Sequence, residues 1–204
     1  MLPNTCLEVC DWVVSKAATD YDSLSDVEEA LYGFIVEDSV LGHFYSGNCS
    51  WYCGGVIDSV TASSALSDRY AAKNAHDFSI VTAWAEGVAG NGEGEYITYS
   101  FPGTCPRITN VLILNGYTKN YEVWRDNGRV KKLLMYYNDK PYVILNLKNT
   151  IDLQRLEVGI LGNEERSEAS PAWSIKFEIL EVYPGEKYED TVITEIYFDG
   201  IDVH

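Results

Sequence analysis

The chain has 204 residues, 46% hydrophobic and 23% charged, which suits one generous globular domain, or one domain with a small appendage, and excludes a disordered chain. Its formal net charge of −16 excludes nucleic acid as a partner, because a phosphate backbone is met by a Lys/Arg surface, and it argues equally against a polybasic membrane anchor. No apolar run approaches the roughly 20 residues of a membrane-spanning helix, and no basic-then-apolar signal segment stands at the start, as expected of a mature or trimmed chain.

Residues 1–55 carry nine acidic residues and one basic residue, Lys16. Leu7, Cys10, Val13 and Val14 recur at helical spacing, and Ser25-Asp26-Val27-Glu28 is a capping-box pattern ahead of the apolar positions Leu31, Phe34 and Ile35. The expectation is a small helical region. Cys6 and Cys10, then Cys49 and Cys53, form two C-x3-C pairs, each placing two thiols on one helical face. Two disulfides are expected among these four, implying an oxidising compartment; buried free thiols are the alternative. Cys105 is left over. Cys53-Gly54-Gly55 marks the boundary, where paired glycines permit a sharp turn.

Residues 56–204 carry twenty-two acidic and fourteen basic residues and read as strands. Ile97, Tyr99 and Phe101 alternate along Glu95–Phe101, and Val111–Leu114 is a continuous apolar run. Val143, Leu145 and Leu147 are expected on one face, as are Leu156, Val158 and Ile160, then Ile175, Phe177 and Ile179, and finally Val192, Thr194, Ile196 and Phe198. Many short segments of period two, separated by Gly/Asn/Asp/Pro turns, predict an all-β fold of antiparallel sheets packed face to face. No amphipathic helices alternate with them, so a parallel α/β fold is not expected.

Four ordered clusters carry a resemblance. They are Thr82-Ala83-Trp84 with Glu86-Gly87; Gly90, Gly92 and Gly94-Glu95; Asn115-Gly116-Tyr117, Lys119, Asn127, Arg129 and Lys131; and Tyr183-Pro184-Gly185, Lys187-Tyr188, Asp190-Thr191, Ile193 and Glu195-Ile196. Together they resemble a bacterial branch of the discoidin-like, galactose-binding-like superfamily. That branch includes the carbohydrate-binding translocation domain of streptococcal secreted NAD glycohydrolase toxins. The resemblance implies an eight-stranded jelly-roll β-sandwich with ligand loops at one end, in a secreted, cell-surface or periplasmic protein. Relatives of this class often bind glycans. The toxin's catalytic domain has no counterpart in this chain, so no NAD hydrolysis is implied.

The resemblance also implies a structural Ca2+ in the loop before the T-x-W segment, with Asp77, Ser79, Thr82 and the distant Glu195 as candidate oxygen ligands. The family's usual Asp-Gly-Asp is Asp77-Phe78-Ser79 in this chain, one carboxylate and one glycine short; the alternative is that Asp77 and Glu195 cap loop amides. Sugar recognition needs aromatic faces beside planar or charged polar groups. Tyr117, Lys119, Asn120, Tyr121, Trp124, Asn127 and Arg129 supply both in one stretch read as a loop, and Glu86 and Glu95 complete the candidate set; the alternative is that Tyr117 and Trp124 pack in the sandwich while Lys119 and Arg129 neutralise Glu86, Glu95 or Asp190. GNGEGE lacks the spacing of a dinucleotide fingerprint, no Ser stands in G-x-S-x-G, and the three histidines are scattered, so no enzyme activity is expected. The function expected is a non-catalytic glycan-binding module of an exported bacterial protein, with a protein-interaction or structural domain of a cell-envelope assembly as the alternative.

Overall fold

In a computed structural model of the chain, residues 51–202 are described. The helical reading of the first fifty residues lies outside the described residues, and so does the proposed pairing of Cys6, Cys10 and Cys49 with one another or with the Cys53 side chain. Cys105 is a buried free thiol.

Nine strands build a sandwich: β1 (Ser59–Ala62), β2 (Trp84–Ala85), β3 (Tyr96–Phe101), β4 (Ile108–Asn115), β5 (Gly128–Tyr137), β6 (Lys140–Asn146), β7 (Gln154–Leu161), β8 (Trp173–Tyr183) and β9 (Thr191–Gly200). Among the described residues one α-helix, α1 (Tyr121–Asp126), interrupts them, and short 3-10 turns stand at Trp51–Cys53, Asp68–Tyr70 and Ala72–His76. One layer runs β1-β3-β8-β5-β6 and the other β7-β4-β9-β2, with every neighbour antiparallel. The layers are joined where Gly128 and Arg129 of β5 pair in parallel with Thr191 and Val192 of β9. The resemblance implied eight strands; the ninth is the two-residue β2.

Alternation explains the core. Ile97, Tyr99 and Phe101 of β3 pair with Phe177, Ile175 and Trp173 of β8, and these residues with Ile179 are sealed from solvent. Leu133 and Met135 of β5 and Val111 and Ile113 of β4 close the interior from both sheets. Phe101 stacks on Trp173 with ring centroids 4.2 Å apart, an offset aromatic pair adding to simple area burial. The core reaches back to Trp51, whose indole is fully buried and donates from Nε1 to the Pro106 carbonyl at 3.0 Å.

Two expected strand faces break. Leu156 and Val158 pack inward, but Gly159 adopts φ +74°, which turns the chain so that Leu161 is buried and Ile160 is 61% exposed. On β9, Ile193, Ile196 and Phe198 enter the main core, whereas Val192 joins a second cluster with Ala83, Ala85 and Tyr117. The register slips opposite Leu114 and Asn115, so the inward parity changes partway along the strand.

Antiparallel pairing places the connections 63–67, 86–95, 116–127, 147–153 and 184–190 at one end of the sandwich. No described helix is long and apolar enough to cross a membrane.

Candidate ligand-binding rim

The stretch 117–129 holds a six-residue helix where a loop was expected. Asn120 starts α1: its Oδ1 accepts from the Val123 amide at 2.9 Å, meeting one of the donors that a helix start leaves unpaired. Asn127 ends it, with Nδ2 donating to the Val123 carbonyl at 2.7 Å. Trp124 is buried and its Nε1 donates to the Asn115 carbonyl at 2.8 Å. Tyr117 is buried too, its hydroxyl donating to the Val81 carbonyl at 2.8 Å. Gly116 adopts φ +85° directly over Trp124 and Arg129, and a Cβ there would lie 2.6 Å from Arg129 Cγ. Any side chain would therefore displace the stack beneath it.

Arg129, at the start of β5, is 7% exposed. Its Nη1 donates to the carbonyls of Arg125 (3.1 Å), Asn127 (2.7 Å) and Pro184 (3.1 Å), and its Nε to Asn149 Oδ1 (3.2 Å). The guanidinium carbon lies 4.9 Å from the Trp124 ring centroid, a cation–π contact. Burial pulls its pKa down, partly opposed by the charge of Glu186. Tyr121 also stacks on Trp124, with ring centroids 5.7 Å apart and planes tilted by 29°, and is 62% exposed. Trp124 thus contacts both the Arg129 guanidinium and the Tyr121 ring, and the Tyr121 ring is open to solvent.

Glu86 and Glu95 are tied into the fold at the same end. Glu86 is fully buried; Oε1 accepts from the Thr191 amide at 3.1 Å and Oε2 from the Val88 amide at 2.8 Å. Burial raises its pKa, opposed by these two amides. Gly92 explains one of the three glycines nearby: it adopts φ +70°, and a Cβ there would lie 2.3 Å from Glu86 Cγ. Glu95 Oε2 accepts from Ser63 Oγ at 2.6 Å and from Ser64 Oγ.

Of the nine candidate ligand residues, seven therefore direct polar groups into the fold. Lys119 and Tyr121 are the two that stand free at the rim. Asn149, exposed and touching Arg129, was not singled out from the sequence; nothing in Lys148-Asn149-Thr150 distinguishes a rim residue from an ordinary polar turn.

The candidate cation ligands do converge. Asp77 accepts from Thr82 Oγ1 at 2.9 and 2.8 Å and from the Ser79 amide at 3.1 Å. Glu195 is fully buried; Oε1 accepts from the Ser79 amide at 2.8 Å, and its carboxyl also lies beside the Asp77 carboxyl and the Tyr197 hydroxyl. Burial first, and the neighbouring Asp77 charge second, hold the Glu195 pKa well above the ordinary carboxylate range, and burial raises that of Asp77. Phe78 keeps the left-handed backbone (φ +59°) that a glycine would adopt freely, and its ring packs against Tyr52, His76 and Tyr197. Two carboxyls side by side without a basic partner require a proton or a cation between them. The donor set is all oxygen, as a hard cation demands, although no group of three or more His, Cys, Asp or Glu side chains able to hold a metal gathers among the described residues.

A jelly-roll sandwich with a loop rim and this T-A-W and Y-P-G-x-K-Y framework is an F5/8 type C, discoidin-like domain. The model of the NAD glycohydrolase translocation F5/8 type C domain matches residues 51–199, and the chain belongs to that family. Comparison with curated protein sequences returned no match. Among solved structures the chain is similar to CpGH89CBM32-5 from Clostridium perfringens, in complex with GalNAc-β-1,3-galactose, at 17% identity and a TM-score of 0.49, covering 70% of this chain and 94% of that one. It is similar to an F5/8 type C domain from Bacteroides fragilis at 15% identity and a TM-score of 0.45, covering 72% and 99%. The CBM32-1, CBM32-2 and M60 catalytic domains of Clostridium perfringens ZmpB match at 12% identity and a TM-score of 0.49, covering 74% of this chain but only 14% of that one.

Proposed function

We propose that this protein is a non-catalytic glycan-binding module whose ligand rests on the Tyr121 face of the rim. The observation that carries the reading is an exposed tyrosine ring stacked on the buried Trp124, which is itself in contact with Arg129. Such a ring is an aromatic surface with little freedom left to lose on binding. Lys119, two positions before it in the chain, and Asn149, which meets Arg129 Nε, have exposed polar ends suited to ring hydroxyls. Calorimetric titration with neutral and acidic oligosaccharides tests this. Tyr121→Ala is expected to weaken binding at least about tenfold without lowering the melting temperature. No binding to any sugar by the wild-type chain overturns it.

We propose also that the protein works outside the cytoplasm of a bacterium, as its family implies; recovery of the native protein only from cytosol would refute this. The paired Asp77 and Glu195 carboxyls, Glu195 fully buried and neither with a basic partner, favour a second proposal, that Asp77, Ser79, Thr82 and Glu195 hold a structural Ca2+. Calcium would then neutralise the carboxyl pair and raise the melting temperature above that of chelated protein. An unchanged melting temperature at millimolar Ca2+ excludes the site.

A further inference from the structure

We infer that Arg129 Nη2 receives a carboxylate of the ligand, so that the rim selects acidic sugars, uronic or sialic, over neutral ones. This rests on the rim reading above and names the chemical class it serves.

Arg129 is the only buried arginine among the described residues. In a chain with 31 acidic and 15 basic residues, Arg107, Arg125 and Arg155 each lie against a carboxylate. Arg129 does not. Glu186, whose charge it feels, sits 3.2 Å from Arg125 Nε instead. The Arg129 donors are used unevenly: Nη1 serves three carbonyls and Nε serves Asn149, whereas Nη2 donates to no group among the described residues and is not sealed from solvent. A guanidinium is a planar fork with fixed N–H directions, so the contacts on Nη1 and Nε fix where Nη2 points. The result is a desolvated positive charge, immobilised by neutral partners, with its remaining donors available beside the Tyr121–Trp124 stack. A neutral hydroxyl could use those donors, but a carboxylate would also supply the missing counter-charge, and charge-assisted hydrogen bonds are roughly twice as strong as neutral ones. The overall negative charge does not cancel this. At physiological ionic strength the Debye length is about 8 Å, so the guanidinium in contact outweighs distant carboxylates.

The test titrates the full chain with 3′-sialyllactose, a glucuronic-acid disaccharide and lactose. An acidic sugar is expected to bind about tenfold more tightly than lactose. Asn149→Asp places a carboxylate where Asn149 Oδ1 now meets Arg129 Nε. It is expected to abolish the preference while raising the melting temperature. Asn149→Ala, which supplies no charge, is expected to weaken acidic and neutral sugars alike and so to keep the ratio between them. Equal affinity of the wild type for lactose and both acidic sugars, or a preference surviving in Asn149→Asp, overturns the inference and leaves the glycan rim standing. Failure of every sugar to bind would instead remove the rim reading itself.

Discussion

His76 shows how one side chain is shaped by packing. Its ring sits among Tyr52, Phe78, Tyr99, Tyr197 and Phe198, and Nδ1 lies 2.7 Å from the Ile196 carbonyl. A carbonyl only accepts, so Nδ1 carries the proton. Desolvation lowers the pKa from 6.5 to about 4, against the smaller opposing pull of Ile196. Between these values the unfolded chain takes up a proton that the folded chain refuses, so stability is present above pH 6.5 and falls as the pH drops towards 4. The ring retains some solvent contact, which tempers the effect to on the order of 2 kcal/mol. Denaturant titrations at pH 7 and pH 4.5 should show a loss that is smaller in His76→Gln. Glu195 acts in the opposite sense, because its raised pKa makes the ionised form costly at neutral pH. In chelated protein at pH 7, Glu195→Gln is expected to raise the melting temperature while abolishing any calcium-dependent rise. A lower melting temperature in that variant would show that the carboxylate is needed ionised.

At the scale of elements, single residues decide starts and turns. Removing the Asn120 side chain leaves the Val123 amide unpaired, and Asn120→Ala should cost about 1 kcal/mol by chemical unfolding. Gly159 holds the bulge that turns Ile160 outward, and a Cβ there would meet Tyr142 Oη at 2.9 Å. Gly159→Ala should cost about 1–2 kcal/mol, chiefly from left-handed backbone strain; no loss would mean that the strand can realign. Period-two alternation located β3 and β8 from the sequence because both alternate without a break, β3 over Tyr96–Phe101 and β8 as far as Ile179. The same rule failed for Ile160 and along β9, where one irregular residue exchanges the inward and outward faces. Helix α1 was hidden among polar and aromatic residues, too short for helical periodicity to appear.

For the molecule as a whole, Trp51 links the start of the described chain to the core. Its indole contacts Phe101 and Phe198, with ring centroids 6.1 and 5.9 Å away. Trp51→Ala should destabilise the protein by about 3–5 kcal/mol in equilibrium denaturation, and an effect under about 1 kcal/mol would place the indole outside the cooperative core.

Local alternation of apolar and polar residues was enough to specify two facing sheets, because burying one side of each strand is the main favourable term in folding and its period is written along the chain. The ordered motifs pointed to the family in the same way. Which polar side chains remain free for a ligand was not written locally. Arg129 is held by Pro184, fifty-five positions away, and Glu86 by Thr191, one hundred and five away. Tertiary structure alone decided that Tyr121 stands open while Trp124, Asn127 and Glu86 are occupied, because a hydrogen bond is settled by proximity in space between groups that the sequence keeps far apart.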